Sequence, residues 1–87
     1  MTQPPRPDPA AVLAAVAAIL ARVTARPQPG LTATTPLDTL DGVDSLRLLE
    51  TIALAEEQFG VAVDTGGLDN VATVGDIIRL IIGGTAP

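Results

Sequence analysis

The chain is 87 residues long, carries a formal net charge of −5, and contains no Cys, His, Lys, Trp or Tyr, a single Phe and a single Ser. Those absences exclude thiol and imidazole nucleophiles, an imidazole general base, Cys/His zinc sites and a disulfide framework. Five Arg against ten acidic residues make no basic footprint, which excludes nucleic acid and anionic membrane surfaces as partners.

A chain of this size is one domain that buries about 60–65% of its unfolded surface. Its apolar residues are overwhelmingly Ala, Leu, Val and Ile, so the core is aliphatic. Residues 1–8, with prolines at 4, 5 and 7, are expected to be a flexible tail. Asp8-Pro9 then starts a helix, Asp as N-cap and Pro at the first helical position, which runs to about Ala25. Val12, Leu13, Val16, Ile19, Leu20 and Val23 recur on one face of it, and Arg26-Pro27 ends it. The apolar run Ala10–Ala21 has some features of a secretory signal, but the helix start directly in front of it argues against that. The run is also shorter than the roughly 20 apolar residues that cross a bilayer. A cytoplasmic, soluble monomer is expected.

From Arg26 to Val43 lies a long loop punctuated by Pro27, Pro29, Gly30 and Pro36. Thr35-Pro36-Leu37-Asp38 reads as a capped turn with Thr35 as N-cap, and Leu37 and Leu40 as pins into the core. Asp44 caps a second helix that continues to Phe59 and stops at Gly60. Leu48, Leu49, Ile52, Ala55 and Phe59 are its expected buried stripe, with Leu46, Arg47, Glu50, Glu57 and Gln58 outside. Val61-Ala62-Val63 is too short for a sheet strand. Asp64–Asn70 contains Gly66-Gly67 and supports at most a short, weak helix, the loosest part of the domain. Thr73 and Asp76 form a capping-box pair for the last helix, which buries Val74, Ile77, Ile78 and Ile81 and ends at Gly83-Gly84. Residues 83–87 are expected to be a second tail. The pattern predicts an all-α bundle of three main helices plus a short, weak third one, with a long first loop and the domain proper over 9–82.

Ser45 follows the Asp44 cap in the first turn of the second helix. No His or Lys exists to take its proton, so the nucleophile-and-base logic fails. The free amides and positive dipole end of a helix do stabilise a phosphate there, which favours a hydroxyl that is modified over one that catalyses.

Asp44-Ser45-Leu46, followed by Glu56-Glu57-Gln58-Phe59-Gly60-Val61 and Thr73-Val74-Gly75-Asp76-Ile77-Ile78, resembles an acyl carrier protein along the whole of the chain expected to fold. The resemblance implies a four-helix bundle whose Ser45 receives 4'-phosphopantetheine from coenzyme A through a magnesium-dependent phosphopantetheinyl transferase. It implies that Asp44 helps the transferase engage the site, and that the arm's thiol holds an acyl cargo. It also implies a recognition surface at Leu46, Glu50, Glu56 and Glu57 for basic patches on an acyl-loading ligase or acyltransferase and on synthase or condensation enzymes. The chain would itself be no enzyme. Two departures stand out. Arg47 occupies a position that is commonly acidic in carriers of primary fatty-acid synthesis, which would turn away a basic partner. The family's Leu-Gly-x-Asp-Ser is shifted here by Asp41, which follows Leu40 and precedes Gly42. Both point to a discrete carrier of a specialised polyketide, lipid or lipopeptide pathway. A peptidyl or aminoacyl carrier of a nonribosomal peptide pathway is the rival within the family. An unmodified helical docking module is the rival outside it.

Overall fold

A computed structural model describes residues 8–64, 66 and 70–85. It holds three α-helices, α1 (Pro9–Thr24), α2 (Ser45–Phe59) and α3 (Val74–Ile82), with one 3-10 turn, Leu37–Thr39, in the first loop. The expected tail over residues 1–7 and most of the expected short helix within 64–70 lie outside the described residues, as does the proposed weak point there. All three helices touch one another. Val12, Val16, Ile19 and Leu20 of α1 meet Ile52 and Ala55 of α2, and Val74, Ile77, Ile78 and Ile81 of α3, in one aliphatic core. The all-α small bundle follows from these stripes.

Asp8 sits at the N-cap of α1, but its side chain makes no capping hydrogen bond, so Pro9 at the first helical position is the working part of that start signal. Ala25 ends the helix in the left-handed conformation, φ 57°, and its amide donates to Ala21. Leu13 and Val23 are only partly buried, and Ala15 is buried beside Val16 instead.

The first loop differs from expectation by one residue. Its turn begins at Leu37 with Pro36 at the cap position, and the Thr35 hydroxyl accepts from the Thr32 amide instead of capping. Leu37 is buried as expected, with Leu40 partly so. Backbone bonds then fasten this loop to the start of α3: Leu37 N to Ala72 O at 2.9 Å, Val74 N to Thr35 O at 3.0 Å, and Gly75 N to Ala33 O at 2.7 Å. These bonds satisfy loop amides that the fold takes away from water.

α2 stops at Gly60, whose φ of 64° is a left-handed value that glycine adopts without strain. Its buried stripe holds Ile52 and Ala55 as expected, with Leu48 and Phe59 half-buried against the core, and departs from expectation at Leu49 and Thr51. Leu49 is 43% exposed, while Thr51 is fully buried. At about 100° per residue, Thr51 stands roughly 40° beyond Ala55 on one side of the stripe and Leu49 roughly 60° beyond Ile52 on the other, and burial extends to the Thr51 side. The Thr51 hydroxyl donates to Arg47 O at 2.8 Å, which makes its burial tolerable.

Thr73 and Asp76 form the expected reciprocal capping box of α3. Gly83 caps the other end, and Thr85 exchanges two backbone hydrogen bonds with Ala62, at 2.7 and 3.1 Å. An isolated bridge thus joins Ala62 to Thr85, beyond the end of α3, and residues 61–63 form no strand of a sheet among the described residues.

Candidate functional site

The Asp44 backbone is extended, and its carboxylate Oδ1 accepts from the Arg47 amide at 2.8 Å. This bond does the capping, so the hydroxyl of Ser45, the first residue of α2, is left exposed to solvent. The first amides of any helix lack intrahelical acceptors, and Ser45 stands at the positive end of a 15-residue helix. Before the cap, Asp41 points outward and lies 3.6 Å from Arg26 at the end of α1. The pair is well exposed and so weak, but it shows where the shifted residue of the loop goes.

Beside Ser45 opens a cleft of about 390 Å³. It is lined by Leu37 and Asp38 from the first loop, by Val43, Asp44 and Leu48 on either side of the serine in sequence, and by Val71 and Ala72 from the segment before α3. Aliphatic side chains line it, with two carboxylates at its rim. Among the described residues there is no cluster of His, Cys, Asp or Glu able to hold a metal ion. No helix among them is long and apolar enough to cross a membrane.

The expected partner surface divides. Leu46 is 59% exposed and stands one residue from Ser45. Leu49, which the expected stripe had placed inside, joins it on the outer face, and these two are the exposed large hydrophobic residues among those described. Arg47 and Glu50 pair with each other at 3.2 Å. Glu57 is exposed, but Glu56 is half-buried and its Oε2 accepts from the Val63 amide at 2.8 Å, tying the end of α2 to the chain beyond it. Sequence reasoning missed Leu49, Val71 and Ala72. The helical phase carried a signal for the first, whereas Val71 and Ala72 reach the cleft only through the packing of the loops.

The site suits a phosphodiester-linked arm. An accessible hydroxyl, helix-start amides for the phosphate and an apolar cleft alongside are all present.

A family model described as a phosphopantetheine attachment site matches residues 14–81. Curated acyl carrier proteins match over shorter stretches. The one from Thermotoga maritima is 45% identical over 40 residues, 46% of this chain and 49% of that protein. The one from Acidothermus cellulolyticus is 44% identical over 48 residues, 55% and 56% of the two chains. In these alignments the chain spans about half the length of the curated relatives it matches. The solution structure of a holo acyl carrier protein from Geobacter metallireducens superposes with a TM-score of 0.68 at 27% identity, covering 80% of each chain. Since the family match runs from the first turns of α1 to the end of α3, the chain belongs to the acyl carrier protein family, whose prosthetic group is phosphopantetheine.

Proposed function

We propose that Ser45 bears the 4'-phosphopantetheine arm and that the chain carries acyl intermediates between enzymes without catalysing their conversion. The observation that supports this most is the division of labour at the start of α2. Asp44 takes the capping bond, and the neighbouring hydroxyl is left accessible at a helix start, on the edge of an apolar cleft. When bound, the group supplies a thiol that holds cargo as a thioester, a sulfur nucleophile that a chain without cysteine does not have.

The chain's own residues position and present the arm. The amides at the start of α2 stabilise its phosphate, and Leu37, Leu48 and Val71 offer its apolar part a surface. The partners are a phosphopantetheinyl transferase, an acyl-loading ligase or acyltransferase, and synthase or condensation enzymes, in the cytoplasm where coenzyme A supplies the arm. These enzymes meet the outer face of α2. There the charged pair Arg47–Glu50 is neutral as a unit, and Glu56 is partly engaged by Val63. Leu46 and Leu49 therefore supply more of the contact than charge does, and Glu57 is left to steer.

Intact mass after incubation with coenzyme A and a broad-specificity transferase tests the reading. One phosphopantetheinyl addition is expected on the wild type and none on Ser45→Ala. An unchanged wild-type mass, or an addition that survives the substitution, overturns it.

A further inference from the structure

Val71 and Ala72, which line the cleft, lie on the segment that leads into α3. The shape of this segment depends on a few hydrogen bonds. The Ala72 amide donates to Asp76 Oδ2 at 2.8 Å, and the Ala72 carbonyl accepts from the amide of Leu37, in the first loop, at 2.9 Å. Asp76 Oδ2 also accepts from the Thr73 amide at 2.9 Å, and Oδ1 pairs with Arg79. A capping box needs only the Thr73 half of this arrangement. The bond to Ala72 reaches one residue past the helix and does nothing for α3. It fixes the cleft wall instead.

We propose that Asp76 is a positioning residue for the arm on Ser45: by holding the Ala72 backbone against Leu37, it keeps the cleft in the shape that seats the arm. This rests on Ser45 being the attachment point. The carboxylate is held in its charged form by the same contacts, with its pKa lowered to about 2 by the Ala72 amide first and the Thr73 amide second. The Asp76 carboxylate thereby fixes the Ala72 amide on a segment whose backbone is joined to the first loop at Leu37–Ala72, Thr35–Val74 and Ala33–Gly75.

The test uses the phosphopantetheinylated protein, with the arm's gem-dimethyl group as reporter. Nuclear Overhauser contacts from those methyls to the methyls of Leu48 and Val71 are expected in the wild type. They should persist in Thr73→Ala, which removes the other half of the cap, and be lost in Asp76→Ala, which leaves the Ala72 amide without its acceptor. Contacts absent from the wild type, kept in Asp76→Ala or lost equally in both variants overturn the proposal. If Asp76→Ala does not fold, the wild type alone decides. The Ala72 amide should exchange several-fold more slowly in the phosphopantetheinylated form than in the apo form, and equal rates overturn the proposal. Intact mass distinguishes this failure from an unmodified Ser45.

Discussion

The Arg47 guanidinium lies 3.2 Å from the Glu50 carboxylate, one turn along α2 and beside the serine. An exposed pair at this spacing contributes only about 0.3–0.5 kcal/mol to stability. Its larger effect is on the field that a partner meets, because the pair is neutral as a unit where an acidic residue at position 47 would leave two negative charges on the outer face of α2.

Arg47→Glu should therefore cost less than about 1 kcal/mol in urea denaturation, the loss of a weak pair plus like-charge repulsion from Glu50. Association with a basic partner should quicken several-fold at low ionic strength, and the gain should fade as salt approaches physiological levels. Transfer rates from coenzyme A measured across a salt series check both halves.

Gly75 is a close-packing glycine, not a flexible one. A Cβ there would stand 2.6 Å from the Ala33 carbonyl oxygen, a backbone atom of the first loop that also accepts the Gly75 amide at 2.7 Å. Within a helix, Gly→Ala ordinarily stabilises by up to about 1 kcal/mol. Here the clash should reverse the sign and destabilise by about 1–3 kcal/mol. Equilibrium unfolding of Gly75→Ala measures it, and a stabilised variant would mean that the loop can move away freely.

How much of this was legible in the sequence depended on range. The Asp44 cap, the Gly60 stop and the Thr73–Asp76 box are rules over three or four residues, and each stands where the sequence placed it. Leu49 and Thr51 exchanged roles because hydrophobicity alone does not set a helix's phase. The Thr51 hydroxyl satisfies itself on Arg47 O, so the core accepts it. Thr35 lost its expected cap to Thr32 within a loop rich in threonine. The cleft wall was not legible at all, since Ala72 meets Leu37 only across 35 residues of chain folded by packing.

Asp76 sets an acid limit on the fold. Its pKa falls from 3.8 to about 2, chiefly through the Ala72 and Thr73 amides. A folded-state value below the unfolded one means that the unfolded chain binds more protons in between, so stability rises with pH there. The contribution is complete above about pH 4 and is lost as pH falls through 2. The stability difference between wild type and Asp76→Asn should accordingly be constant near neutrality and shrink on acidification below about pH 4. Denaturant curves across that range check it, and a difference independent of pH would mean that the charge is not what the amides hold.

Asp44 combines two roles that substitution can separate. Its Oδ1 accepts from the Arg47 amide, and its charge stands beside Ser45 on the cleft rim. Asn is as good an N-cap as Asp and carries no charge, whereas Ala does neither job. Asp44→Ala should cost about 1 kcal/mol in unfolding, and Asp44→Asn only a few tenths. If the charge helps the transferase engage the site, both variants should slow phosphopantetheine transfer to a similar extent despite their different stabilities. If capping alone matters, Asp44→Asn should be modified at the wild-type rate. Initial rates at matched protein and coenzyme A concentrations, set beside the two unfolding curves, separate the electrostatic role from the structural one.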